Sequence, residues 1–233
     1  MICSKGVMNF YQASENYVLG CSDDLDTVRK LFLSDISEDE AKADFFVNAL
    51  PNIRKELKED LKFFMDSDPA ADSEEEIILA YPGYKAIRYH RIAHILYELG
   101  EKLNARIISE EAHVQTGVDI HPGAQIDCPI FIDHATGIVV GETTIIGKRV
   151  KIYQSVTLGA LSLSKGHDLY GKKRHPTIGN DVTIYAGVSI LGDISIGDRV
   201  TIGSNVFLTK SIPSDMKVTI GEPELVLQKR NKK

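Results

Sequence analysis

Tryptophan is absent from this 233-residue chain, and all aromatic residues together make up only 7%. A core so poor in large rings has to be filled with aliphatic side chains, and Ile and Val supply them. Cysteine is scarce too. Cys3, Cys21 and Cys128 are too few and too scattered for a disulfide framework or a CxxC metal site, so a reduced cytoplasmic setting is expected. No apolar run reaches the roughly 18 residues of a membrane span. The opening MICSKGVMNFYQASENY has neither an apolar signal core nor an Arg-rich amphipathic pattern, and is not expected to be a targeting segment. Basic charge is in deficit: 27 Lys+Arg against 33 Asp+Glu give a net charge of −6, which argues against a nucleic-acid binder. What is present is globular, with 43% hydrophobic and 26% charged residues, enough for one large domain or two small ones.

The acidity is uneven. Residues 113–233 carry 14 basic and 11 acidic side chains, a net of +3, whereas 1–112 carry 13 and 22, a net of −9. The first part reads as helices. Apolar positions recur at helical spacing over 23–35 (Leu25, Val28, Leu31, Phe32) and 38–48, with Ser37 as an N-cap. Pro51 is expected to start a further helix over 52–66, broken at Asp68-Pro69-Ala70. A short helix follows over 74–80, then a Pro82-Gly83 turn and a longer helical pattern over 84–112, with Gly100 as the place for an interruption. We expect residues 1–112 to form a helical N-terminal domain.

The second part changes period. Ile120, Ile126, Ile132 and Ile138 are six apart, as are Ile146, Ile152 and Leu158 after a shift of eight, and Ile178, Ile184, Ile190, Ile196, Ile202 and Leu208. Small or branched residues follow four positions on, as at Ala124, Val150, Val156, Val182, Val188, Val200 and Val206. This is a hexapeptide repeat: each unit is a short strand and a turn, three units close one coil, and every sixth side chain points inward. Glycines after the aliphatic (Gly147, Gly159, Gly179, Gly197, Gly203) are expected to supply positive φ at the corners. A helix cannot gather a six-residue period onto one face. The expected fold class is therefore α+β: helices, then a parallel β-helix over 113–212, then a C-terminal tail over 213–233. Nineteen residues between Leu158 and Ile178 exceed one step, so a loop over 160–175 must leave the coil. It ends in Arg174-His175-Pro176, and such excursions from a rigid scaffold commonly carry function.

Polar residues concentrate at Asp133-His134-Ala135-Thr136-Gly137 and Gly141-Glu142-Thr143, with Asp119 and His121 one coil earlier. Asp119 precedes His134 by 15 residues, against 18 for a full coil, so a contact between them is feasible. A carboxylate holding an imidazole is what a general base needs. No GxSxG-like nucleophile elbow is present, so a single base implies deprotonation of a substrate hydroxyl or water.

Together with Asp68-Pro69-Ala70, Tyr89-His90-Arg91-Ile92-Ala93-His94, Gln154-Ser155-Val156-Thr157-Leu158-Gly159 and Arg174-His175-Pro176, these segments resemble serine O-acetyltransferases in order, over about residues 68–208. The resemblance implies a left-handed solenoid, acetyl-CoA as co-substrate, L-serine as acceptor, the first step of cysteine biosynthesis, and direct transfer without an acyl-enzyme. By position it implies His134 as base oriented by Asp119, Arg174 and His175 on the serine carboxylate, and Asp68 and Asp133 on its amino end. Glu142 is a further candidate in that pocket. It implies acetyl-CoA along Gly159, Ala160, Ala186, Gly187, Gly203 and Ser204, at a site between subunits of a homotrimer that the helical domain can pair into a hexamer. The departures are Gly159-Ala160 where the family often has Gly-Gly, and a longer loop before Arg174. Members that bind O-acetylserine sulfhydrylase insert a C-terminal peptide ending in Ile. This chain ends in Lys233, so that complex is not expected. Cysteine feedback would follow from its similarity to serine. The alternatives are an acetyltransferase for homoserine or a sugar, a zinc-dependent γ-type carbonic anhydrase, and an inert scaffold. The zinc enzyme would need three His ligands, and His121, His134, His167 and His175 lack the pattern, so no metal is expected. His90 and His94, i and i+4 on a helix, are read as packing.

Overall fold

The computed structural model describes residues 4–162 and 171–221. Cys3, His167, the middle of the 160–175 loop, and the 222–233 part of the tail with its terminal Lys233 lie outside the described residues. Six helices come first: α1 Ser4–Val18, α2 Leu25–Asp35, α3 Glu40–Ser67, α4 Glu74–Ala80, α5 Pro82–Glu98 and α6 Lys102–Thr116. Short polar residues cap α2, α3 and α4. The Asp39 carboxylate, not Ser37, accepts the Lys42 N–H at the start of α3, and Ser73 accepts from Glu76 ahead of three acids in the first turn of α4. Gly100, at φ +82°, separates α5 from α6, and Gly117, at φ +73°, ends α6.

Pro51 does not start a helix; it sits inside the 28 residues of α3. An interior proline costs about 3 kcal/mol through its missing N–H and ring clash. Its ring faces outward, while Leu50, Ile53, Leu57, Leu61 and Phe64 are buried beside it. At roughly 1.5–3 kcal/mol per buried large apolar side chain, that stripe outweighs the break.

The remainder is a parallel solenoid: β1 Val118–Ile120, β2 Gln125–Ile126, β3 Ile130–Ile132, β4 Ile138–Val140, β5 Ile145–Ile146, β6 Val150–Ile152, β7 Thr157–Gly159, β8 Thr177–Ile178, β9 Thr183–Ile184, β10 Ser189–Leu191, β11 Ser195–Ile196, β12 Thr201–Ile202, β13 Phe207–Leu208 and β14 Lys217–Val218. They form three sheets, ordered β1-β4-β7-β10-β13, β11-β8-β5-β2 and β14-β12-β9-β6-β3. The coil is therefore triangular. Inward side chains stack between coils: Ile146 on Ile178 and Ile196, Ile152 on Ile184 and Ile202, Val140 on Leu158 and Ile190.

Two sequence expectations change here. Ile120 pairs with Val140 and Val118 with Ile138, so the shift of eight lies between Ile132 and Val140, not after Ile138. The first coil is thus two residues longer than the regular 18, and the extra pair falls at the corner that holds His134. The glycines after the aliphatics do not carry positive φ; Arg149, Ser155, Asp181, Arg199 and Asn205 do. Those glycines are needed for space. A Cβ on Gly197 would lie 2.4 Å from the Ser214 nitrogen, and one on Gly179 2.5 Å from Asp198 Oδ1.

The helices close the first coil. All of Ile130, Phe131 and Ile132 is buried, because Phe131 on the outward face inserts between Phe64 (4.8 Å) and Phe63 (6.5 Å) of α3. Asp60 is fully buried. Its Oδ1 accepts the Ile130 N–H at 2.9 Å and its Oδ2 receives Arg91 of α5 at 2.8 Å. Gly83 lies so near the Ile132 carbonyl that a Cβ would sit 2.0 Å from its oxygen. α3, α5 and β3 are thereby held in one register, which fixes the end of α3 beside the corner that follows β3.

Candidate active site

The first corner joins β3 to β4. His134 (φ +56°) and Ala135 (φ +61°) are consecutive left-handed residues, and Gly137 (φ +76°) follows. Non-glycine residues in this region are uncommon, and two together accommodate the two extra residues of the coil. The Asp133 carboxylate accepts the His134 backbone N–H at 2.8 Å and lies 3.5 Å from the ring Nδ1. The ring is largely exposed, 65% of its side-chain area, and so is presented to solvent in the single chain.

Asp68 reaches the same corner from the C-terminal end of α3. Its carboxylate accepts from the Ala70 N–H and, at 2.7 Å, from the Tyr81 hydroxyl. That hydrogen bond, with burial and then the Asp68 charge and others including Asp133, pushes the Tyr81 hydroxyl up to about 12. Tyr153 is raised by burial and by both carboxylates. Asp68 and Asp133 therefore create one negative patch beside His134, suited to an ammonium group. Asp119 sits on β1 opposite Val139, and no hydrogen bond joins it to His134.

The second corner lies at the other end of β4. The Glu142 carboxylate accepts from the Tyr97 hydroxyl at 2.7 Å and from the Arg174 guanidinium. Burial pushes the Glu142 carboxyl up, and these two hydrogen bonds, with the nearby His121 and the Arg174 charge, outweigh it, so it stays below its ordinary value. His175 is buried. Its Nδ1 lies 3.1 Å from the Thr143 N–H and 2.9 Å from Thr143 Oγ1, which also accepts the backbone N–H groups of Arg174 and His175. Burial, then the adjacent Arg174 and Lys173, hold the His175 imidazole down at about 4, so the ring is neutral at neutral pH. The ring lies flat on Gly141, where a Cβ would meet its Nε2 at 2.2 Å. Lys173 donates to the Thr143 and His175 carbonyls, and a cavity of about 350 Å³ opens beside Glu142 and Lys173.

The structure thus brings Asp68, Asp133 and His134 together, and separately Glu142, Arg174 and His175. The three residues of β4 between the two groups span on the order of 10 Å. The acetyl-CoA candidates divide likewise: Gly159 and Ala160 lie below the second corner, Ala186, Gly187, Gly203 and Ser204 below the first. Their smallness has an intrachain cause too, since a Cβ on Gly187 would be 2.3 Å from Asn205 Oδ1 and one on Gly159 2.9 Å from Leu191. Tyr81, Tyr97 and Thr143 enter the site through contacts across the fold. Only Thr143, within Gly141-Glu142-Thr143, carried a local signal.

Comparison with known proteins bears on this arrangement. The family model for the bacterial transferase hexapeptide (six repeats) matches residues 175–210. A plasmid-encoded serine acetyltransferase of Synechococcus elongatus is 52% identical over 172 residues, covering 72% of this chain but only 54% of that relative. The serine acetyltransferase of Mycobacterium tuberculosis is 44% identical over 171 residues, 73% of this chain and 72% of the relative. The crystal structure of Entamoeba histolytica serine acetyltransferase isoform 3 in complex with cysteine superposes with a TM-score of 0.79 at 38% identity, covering 88% of this chain and 74% of that one.

Proposed function

The chain belongs to the serine acetyltransferase family, and on that premise we propose that it moves acetyl from acetyl-CoA directly to the hydroxyl of L-serine, giving O-acetylserine and CoA, the first step of cysteine biosynthesis. The observation that carries the reading is the two-residue enlargement of the coil at His134, which presents an imidazole beside two carboxylates at a corner of the solenoid. His134 takes the serine hydroxyl proton as the oxygen attacks the thioester carbonyl. The tetrahedral intermediate collapses, and the proton returns from the imidazolium to the departing thiolate of CoA. Asp133, 3.5 Å from the ring, favours that imidazolium; Asp119 acts on it only in the assembled site. Asp68 and Asp133 receive the serine ammonium, and Arg174 and His175 its carboxylate, with Glu142 behind Arg174.

One chain holds these two groups apart at opposite ends of β4, so the site needs two copies. In a homotrimer the second corner of one copy meets the first corner of the next, and acetyl-CoA lies in the groove below, along Gly159, Ala160, Ala186, Gly187, Gly203 and Ser204. The outward face of the β1-β4-β7-β10-β13 sheet carries exposed Val139 and Phe207, which suits burial against a second copy. We place residues 113–212 as the transferase part and 1–112 as the domain that pairs trimers, in a cytoplasmic enzyme that needs no metal. The Entamoeba relative holds cysteine. Cysteine shares serine's ammonium and carboxylate and would occupy the same clamp.

A CoA-release assay across serine, homoserine and threonine tests the acceptor. Serine is expected to be the fastest; homoserine at an equal or greater rate would replace it. Arg174→Ala is expected to raise the serine KM about 10- to 100-fold, the worth of hydrogen bonds from a charged donor, with the acetyl-CoA KM near the parent value. An unchanged serine KM would remove Arg174 from the clamp.

A further inference from the structure

We infer that Thr143 is a positioning residue for the acceptor clamp: its hydroxyl and backbone N–H hold His175 as the Nε2–H tautomer, a neutral single donor for the substrate carboxylate. The inference rests on the carboxylate reading of His175 given above. It stands on geometry. Oγ1 of Thr143 accepts two backbone N–H groups, from Arg174 at 3.0 Å and from His175 at 3.2 Å, so both of its lone pairs are engaged. Its own proton then has one acceptor in reach, Nδ1 of His175 at 2.9 Å. The Thr143 N–H points at the same nitrogen from 3.1 Å. Nδ1 facing two donors cannot itself carry a proton, so the ring proton is on Nε2. Among the described residues Nε2 has no hydrogen-bond partner, and the ring is fixed in plane by its stacking on Gly141. One side chain thereby ties together the two loop-end residues and the β4–β5 corner, 31 and 32 residues apart in sequence.

The groups that face His175 set its charge. Arg174 and Lys173 on its own segment and His121 from the β1–β2 corner disfavour protonation, Glu142 from the β4–β5 corner favours it, and burial disfavours it most. Donors on Nδ1 add to the neutral side. Loss of the Thr143 hydroxyl therefore moves the His175 pKa upward toward its ordinary value near 6.5. A ring that becomes cationic as pH falls attracts the carboxylate more strongly.

The test uses the full chain and steady-state kinetics with serine and acetyl-CoA from pH 5 to 7.5. Thr143→Val is expected to raise the serine KM at pH 7.5 about tenfold with kcat within about threefold. Its serine KM should fall as pH drops from 7 to 5, where the parent is flat. Thr143→Ser should restore both the value and the flat profile. Where the Val variant fails to fold, Thr143→Ala serves in its place. A parent-like serine KM in the Val variant, or a raised KM with a flat pH profile that Ser does not restore, overturns the inference. His175→Ala separates the two readings. If it raises the serine KM and Thr143→Val does not, the tautomer argument alone falls; if it leaves the serine KM unchanged, the carboxylate role falls and takes the inference with it.

Discussion

His134→Ala is expected to lower kcat at least ~10²-fold, the usual contribution of a general base. The ring is mostly exposed, so the loss should come without unfolding. The backbone complicates the variant, because position 134 is left-handed and alanine tolerates φ +56° less well than asparagine does. His134→Asn is therefore the companion measurement: it keeps the corner and removes the base. Both variants should be slow, with melting temperatures close to the parent and, for Asn, nearly unchanged. Serine acetylation by His134→Asn within about tenfold of the parent would remove His134 as the base. A slow Ala variant beside an active Asn variant would assign the effect to the corner's shape.

The second large effect is on stability. Arg91→Ala strips the guanidinium from the fully buried Asp60, whose carboxyl burial already pushes up against the pull of Arg91. Breaking a buried pair by removing one partner costs about 3–5 kcal/mol. For a chain of this size that is a fall in melting temperature on the order of 10 °C, read at one fixed protein concentration because association shifts the midpoint. The double variant Asp60→Leu/Arg91→Leu should lose less, since no charge remains at the fully buried position, although the Ile130 N–H then loses its acceptor and the partly buried Glu56 its Arg91 partner. An Arg91→Ala melting point within about 2 °C of the parent would refute the account. The pair matters to the site as well as to the fold, because it anchors α3 to β3. The end of α3 delivers Asp68, and the end of β3 delivers Asp133 and His134.

How much of this was legible depends on how locally each feature is encoded. The solenoid was, because an inward aliphatic every sixth residue repeats in the sequence itself. The low aromatic content belongs to the same half: only Phe131 and Phe207 of eight Phe residues lie there, and the other six fall within the first 64 residues, where Phe10, Phe32 and Phe46 cluster within 5.7 Å of one another. The candidate base and its carboxylate neighbour Asp133 were legible as adjacent residues. An 18-residue coil would bring Asp119 within three positions of His134, but the first coil has 20, which sets Asp119 opposite Val139. Tyr81, Tyr97 and Thr143 could not be found by spacing, because their partners come from other elements. Tyr97 on α5 meets Glu142 across 45 residues.

The sequence alone determined a helical part followed by hexapeptide coils with one long excursion, since those properties live in periods of 3.6 and six residues and in a broken count. Tertiary structure alone decided three things. It placed the two extra residues at the His134 corner, because inter-strand pairing, and not the nearest isoleucine, sets the register. It buried Phe131 on the outer face of β3, because helices from elsewhere in the chain cover that face. It divided the candidate acceptor residues between two corners, because a strand lies between them and the distance along it is fixed by its rise per residue.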